Sequence, residues 1–273
     1  MEATKNTQTG SNKRVESKVR GIKNAFLVIV VCLIAAVCIY LFVYGDPSNF
    51  DPDSHRPVNL LGTVYEGGFV VPIIQGLFLT VICLAVERWF ALSSAKGSGN
   101  ISTFVKNIKA KLATNDIAGA QELCKKQKGS VGAIVSAVLI KYDEMDKNTV
   151  LTKEQKLQMI QKEVEEATAL EMPSLQQNLP IIATMTTLGT LLGLLGTVLG
   201  MIKSFQAMGQ SGAPDSTALS VGISEALVNT ASGIATGAFA VIFYNYFTNK
   251  IDNMTYAIDE VGFSIVSTFA ATH

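Results

Sequence analysis

Charge is scarce in this sequence, at 16% of 273 residues, while 48% of side chains are hydrophobic and the mean hydropathy is +0.33. That balance is too apolar for an ordinary soluble domain. There is no excess of either sign, with 22 Lys plus Arg against 22 Asp plus Glu, so no basic surface points to nucleic acid. Histidine is nearly missing: His55 falls in a loop and His273 is the last residue, which suits neither a catalytic triad nor a buried metal site. The four cysteines, Cys32, Cys38, Cys83 and Cys124, lack zinc or disulfide spacing and read as small hydrophobes. The run from Gly196 to Ser204 has the glycines of a phosphate loop, but its Lys203 does not follow a glycine, which argues against nucleotide hydrolysis. Strand patterning and internal repeats are also missing, so the chain reads as all-α and, lacking a nucleophile–base constellation, not as an enzyme.

What is present is four long apolar stretches, each able to cross a hydrocarbon core of about 30 Å with about 20 helical residues. They run from Ala25 to Tyr44, between Glu66 and Glu87, between Glu171 and Lys203, and between Asp215 and Lys250, the last interrupted by Glu225. The first is too long for a signal-peptide core and no small-x-small site follows it at Tyr44–Pro47. Lys13, Arg14, Lys18, Arg20 and Lys23 hold the N-terminus in the cytoplasm, and the loop bearing Asp46, Asp51 and Asp53 against Arg56 lies outside. The expected organisation is a basic tail (1–24), a first span (25–44), an external loop (45–66), a second span (67–87), a helical cytoplasmic region (88–171), a third span (172–205), an external turn (206–215), a fourth span (216–249) and a cytoplasmic tail (250–273). Both termini are then cytoplasmic. Lys203, on the outer side, runs mildly against the charge rule.

In the region between the second and third spans, Asn115-Asp116 can cap a helix whose apolar face is Ile117, Ala120, Leu123 and Cys124, with Gly129 ending it. A longer helix follows, with Leu157, Ile160, Val164, Ala167 and Leu170 on one stripe. Pro173 and Pro180 bend or restart the chain where it meets the third span.

The last two spans carry the informative patterns. Gly189, Gly193, Gly196 and Gly200 form a ridge without side chains on which a neighbouring helix can approach closely. Thr186, Thr190 and Thr197 run beside it as a hydroxyl stripe. These hydroxyls either line a wet cavity or bond back to the carbonyl one turn earlier. In the fourth span, whose cap chemistry is Gly212-Ala213-Pro214-Asp215-Ser216, the residues Glu225, Asn229, Ser232 and Thr236 fall within about 40° of one another at 100° per residue. An intramembrane carboxylate should face a bundle interior or water. The alternative is a carboxylate near the outer interface, stabilised by the helix N-terminus. Thr230 lies about 140° from Glu225 on the same ideal wheel.

The run LGTLLGLLGTVLGMIKSF (Leu188 to Phe205) followed by GISEALVNTASGIATGAFAVIFYNYF (Gly222 to Phe247) resembles the two signature spans of the MotA/TolQ/ExbB proton-channel family, and the ExbB pattern most of all. Ala85-Val-Glu-Arg-Trp-Phe-Ala91 is similar to the family's Glu-Arg end of an earlier span, and Asp116 to Leu139 to its cytoplasmic segment, so the resemblance extends over most of the chain after about Gly68. Two departures stand out: Thr190 occupies a position where the family often has Pro, and the Ala25–Tyr44 span is additional to a three-span plan.

The resemblance implies a bacterial inner-membrane subunit that assembles as a homo-oligomer, a pentameric ring around a central pore, in membrane lipid. It implies an ExbD-like single-span partner within the ring and a TonB-like protein carrying the output to outer-membrane transport. No cofactor is implied; H⁺ is the transported ion. Carried onto this sequence, the proton pathway falls on Thr197, Glu225 and Thr230, with Thr186, Thr190, Asn229, Ser232 and Thr236 lining the pore and the four ridge glycines packing helices. A TolQ-like or flagellar-type stator subunit, or a passive scaffold without ion flux, are the alternatives. Hydroxyls and one carboxylate suit H⁺ or Na⁺ equally.

Overall fold

A computed structural model describes residue 21 and residues 24–53, 56–210 and 216–273. The basic tail, His55 and the turn at Gly212–Asp215 lie outside the described residues. Among the described residues nine α-helices form: α1 Ala25–Ile39, α2 Leu60–Tyr65, α3 Val70–Lys96, α4 Ile101–Ala113, α5 Ile117–Gln127, α6 Gly129–Lys147, α7 Lys153–Gln176, α8 Leu179–Gln210 and α9 Ser216–Thr272. Among the described residues no strand forms; one isolated antiparallel bridge joins Phe50 to Pro57. Four helices among the described residues are long and apolar enough to cross a membrane.

The chain divides into two compact units. The first comprises 90–176 and 250–273 of the described chain. Its core is Phe104, Ile108 and Leu112 of α4, Ala120 and Cys124 of α5, the nearly continuous buried run Val131–Leu139 of α6, and Ile160 of α7. The Asp116 carboxylate caps α5, accepting from the Gly119 amide at 2.8 Å, and pairs with Lys111 at 2.7 Å. Together the Lys111 ammonium and the backbone amide hold its carboxyl below the usual carboxylate range. Gly129 does not merely end α5. It is the first residue of α6, after the single linking residue Lys128, and takes φ +67, where a side chain would meet the Ala95 carbonyl.

Three expectations change here. The segment 250–273 is not a tail but the continuation of α9, which buries Ile251, Met254, Ile258, Val261, Ile265 and Phe269 at three- and four-residue steps. On α7, Ile160 and Ala167 are buried as the stripe requires, but Leu170 is 75% exposed. Pro173 is accommodated inside α7; the break falls instead at Asn178, with φ +64, and Pro180 sits in the first turn of α8, where its missing N–H costs nothing. The expected span 172–205 is therefore the end of one helix and most of the next.

The second unit comprises 21–89 and 177–249. Here α1 keeps only Ala25, Cys32 and Ala36 buried and exposes Phe26, Leu27, Val31 and Ile34, as a helix facing acyl chains should. It lies on α3, with Leu33 over Gly76 and the Cys32 and Cys83 sulfurs 3.7 Å apart as free thiols. On another side of α3, Phe78 meets Phe239 edge to face at 5.5 Å between ring centroids, and Trp89 stacks on Tyr246 at 5.8 Å. Arg88 is fully buried at the end of this unit, paired with Glu87, and Asn178 donates to the same carboxylate.

Candidate functional site: the seam between α8 and α9

The ridge glycines form the contact between α8 and α9. A Cβ on Gly189 would lie 3.1 Å from the Gly233 carbonyl oxygen, on Gly193 3.1 Å from the Asn229 carbonyl oxygen, and on Gly200 2.9 Å from that of Gly222. Gly196 abuts the Asn229 side chain. The helices are thus in backbone contact, the small-residue mode of association that hydrocarbon surroundings favour because dispersion and close approach replace the hydrophobic effect.

This seam has two edges, and the polar residues divide between them. On one edge Thr197 and Thr230 share a hydrogen bond between their hydroxyls. Each hydroxyl is also 3.1 Å from a carbonyl one turn back, Thr197 from Gly193 and Thr230 from Ala226, so that whichever hydroxyl accepts across the seam can donate its single proton to its own helix. Both residues are half-buried. Thr190 and Thr186 continue along that edge, where the Thr190 hydroxyl donates to the Thr186 carbonyl at 3.2 Å and lies beside Gly237. Back-bonding and cross-helix bonding are therefore not exclusive.

On the other edge is Glu225. Its side chain is 8% exposed and its Oε1 accepts from Lys203 Nζ at 2.6 Å. The helix begins at Ser216, more than two turns away, beyond the first turn in which a helix terminus acts on a charge. Lys203 is thus the stabilising group. The Lys203 ammonium also sits 5.8 Å from the Phe69 ring centroid. Gly68 packs against the carboxylate with φ +74, a conformation and a clearance that suit glycine alone.

Asn229 and Thr236, expected on a wet surface, are buried in the chain. Asn229 Nδ2 donates to the Gly67 carbonyl at 2.8 Å and to the Glu225 carbonyl at 3.0 Å, while its Oδ1 finds no hydrogen-bond partner among the described residues. Thr236 donates to the Ser232 carbonyl at 2.9 Å and contacts Gly189; Ser232 is half-buried. The polar stripe is real in angle but covered by α8 and by the turn before α3, because the glycine ridge draws α8 over it.

Sequence reasoning missed the pairing of Lys203 with Glu225. The signal was available: Lys203 interrupts one apolar stretch and Glu225 the next, and two opposite charges in adjacent membrane helices seek each other. It also missed the Glu87, Arg88 and Asn178 cluster, whose third member stands at a helix break that the prolines suggested elsewhere.

Four apolar helices and a small-residue seam flanked by hydroxyls and one paired carboxylate define a multi-pass membrane protein with polar groups held between helices. Residues 133–260, just under half of the chain, match the MotA/TolQ/ExbB proton channel family. Among relatives, an ExbB-like biopolymer transport protein of Synechocystis sp. is 40% identical over 86 residues, 31% of this chain and 41% of the relative. The biopolymer transport protein ExbB of Helicobacter pylori is 41% identical over 78 residues, 29% of this chain and 54% of the relative. The Tol-Pal system protein TolQ of Haemophilus influenzae is 37% identical over 84 residues, 30% and 36% of the two chains. The chain thus matches about half or less of the length of each of these relatives. Over its 133–260 segment the chain is similar to the MotA/TolQ/ExbB proton channel family and to proteins named ExbB and TolQ, and four of its described helices are long and apolar enough to cross a membrane. The match begins within α6, so the first span, the loop after it and α3 lie outside it.

Proposed function

We propose that this chain is the channel subunit of an energy-transducing complex that couples inward proton flow to work on the cell envelope. Copies of the chain assemble as a ring, with a pentamer the expected size, in a bacterial inner membrane with both termini cytoplasmic. The ring encloses a single-span ExbD-like partner, and a TonB-like protein carries the output to outer-membrane transport. The observation that carries this reading is the Thr197–Thr230 hydroxyl pair at an accessible edge of a glycine-lined seam, within the segment that matches a proton channel family.

Each subunit has one acid, Glu225, within its last two apolar stretches, and that acid is already paired, so a second titratable site is required to receive and release a proton. The partner's carboxylate supplies it. Thr197 and Thr230 donate hydrogen bonds to that carboxylate in turn, with Thr186 and Thr190 extending the hydroxyl edge, while Glu225 sets the charge at the outer mouth and Asn229, Ser232 and Thr236 support it from within. Each elementary charge crossing 100 mV releases about 2.3 kcal/mol, so a few protons suffice to shift protein contacts.

The test is proton uptake by vesicles carrying the chain with its co-purifying single-span protein, together with nutrient import in cells. Loss of both in Thr197→Val supports the reading; wild-type rates in that variant refute it. The similarity to a TolQ protein, comparable in extent to the ExbB matches, favours a second client, envelope constriction. Identifying the co-purifying partner separates the two clients, and activity insensitive to uncoupler would establish a passive scaffold instead.

A further inference from the structure

A short helix on a loop in water hides its apolar side chains, and α2 does the reverse. Its buried residue is Gly62, where a Cβ would lie 2.6 Å from the Asn49 carbonyl oxygen, while Leu60 is 77% exposed and Leu61 41%. Leu60, Leu61 and Val64 fall within about 100° of one another at 100° per residue, and Val58, just before the helix, is 66% exposed. The fold holds this apolar face in place. Asn59 caps α2 by accepting from the Gly62 amide at 3.0 Å, and its Nδ2 donates to the Asn49 side chain at 2.9 Å. The buried Asn49 donates in turn to the Val43 and Tyr44 carbonyls at 2.7 and 3.1 Å. Val58, Leu60 and Leu61 are thus displayed by a lobe tied to the last turn of the first span.

Depth decides what covers them. The first apolar stretch, Ala25–Tyr44, has 20 residues and a length of about 30 Å, the thickness of the hydrocarbon, so Tyr40 lies about one turn inside its end. The Tyr40 hydroxyl donates to the Tyr65 carbonyl at 2.9 Å, and the two rings stack with centroids 4.7 Å apart. Side chains on a helix lean toward its N-terminus, so this bond draws the end of α2 to the level of Tyr40 or below. With six residues α2 is about 9 Å long, and its far end stays within the headgroup layer, which adds about 5–7 Å to the hydrocarbon on each side. The turn that holds the lobe exposes Leu41, Phe42 and Val43, so the lobe stands against a surface already facing acyl chains. We infer that α2 is an interfacial anchor: Val58, Leu60 and Leu61 insert among phospholipid chains of the leaflet into which the first span emerges, the outer leaflet in the orientation proposed above. The exposed Asp53 and Asp46, which accepts from the Ser48 amide at 2.9 Å, form the water-facing part of the same loop. The inference rests on the first span and not on proton flow.

The test uses the full chain as it purifies from membranes, placed in bilayers of phosphatidylcholine and phosphatidylglycerol, with Trp89, the single native tryptophan, changed by Trp89→Phe. Leu60→Trp and Val58→Trp are the reporters, and Asp53→Trp is the water-facing control. Phosphatidylcholine brominated on its acyl chains is expected to quench both reporters severalfold more than the control. Aqueous acrylamide is expected to quench the control severalfold more than either reporter. Acrylamide quenching of both reporters at the level of the control overturns the inference, because the face is then in water. Shielding of both reporters from both quenchers overturns it too, because protein, a second copy or a partner, then covers the face. Val58→Trp, which lies outside α2, decides the matter if Leu60→Trp unfolds the helix. A chain that conducts no protons refutes the functional reading instead and leaves the quenching pattern as decisive as before.

Discussion

The hydroxyls of Thr197 and Thr230 are hydrogen-bonded to each other on one edge of the α8–α9 seam, while Glu225, only five residues before Thr230, is bound to Lys203 on the other. An ideal helix turns about 140° over that interval, and the glycine ridge of α8 sits between the two directions. A carboxylate and a hydroxyl on neighbouring turns thus face different surroundings, which separates the ion pair from the hydroxyl edge.

Replacing either hydroxyl tests that separation. Thr197→Val and Thr230→Val should each lower proton flux about tenfold, as loss of roughly 1.4 kcal/mol of transition-state stabilisation would. Thr197→Ser and Thr230→Ser should retain flux. Flux in vesicles is the measurement, with unaltered thermal unfolding in detergent showing that the seam is intact.

The seam itself depends on backbone contact. At Gly233 a Cβ would lie 2.5 Å from the Gly189 carbonyl oxygen and 2.7 Å from Gly193 Cα, both backbone atoms that cannot swing aside. Gly233→Ala should therefore destabilise the helix pair by about 1–3 kcal/mol, the usual penalty of overpacking. Gly209→Ala, where nothing lies within 4 Å, should leave unfolding unchanged.

At the start of α5, the carboxyl of Asp116 is held below the usual range first by Lys111 and then by the Gly119 amide. A group depressed in the folded state stabilises it above the unfolded pKa and loses that contribution as pH falls through the folded value. Asp116→Ala should lower the unfolding temperature at neutral pH. The gap to wild type should close as the medium is acidified below the ordinary aspartate range, followed by circular dichroism. Asp116→Asn, which retains a cap oxygen but loses the ion pair, should fall between.

Cys124 is fully buried, and burial pushes its thiol up to about 12. The folded protein should therefore resist maleimide at Cys124 near neutral pH and react there once denaturant is added. Peptide mass spectrometry before and after unfolding provides the comparison.

The four apolar spans were legible because hydrocarbon tolerates few charges, so their stretches stand out along one dimension. The glycine ridge was legible too, since four residues at helical spacing need only a wheel. The continuation of α9 past Lys250 was missed although its apolar steps from Ile251 to Phe269 were readable; the charged residues between them masked the stripe. Leu170 shows the converse, a residue in register with the stripe that its surroundings leave uncovered.

By itself the sequence determined which segments are helical, which are apolar enough to leave water, and which helix faces are small or hydroxylated, because each follows from side-chain chemistry read at a single period. Only the tertiary structure decided that Lys203 meets Glu225, that Thr197 meets Thr230, and that Asn229 is enclosed. Those outcomes depend on how one helix is rotated and shifted along another. That rotation is set by backbone contact at the glycines, a relation between residues some 20 to 45 positions apart that no local period encodes.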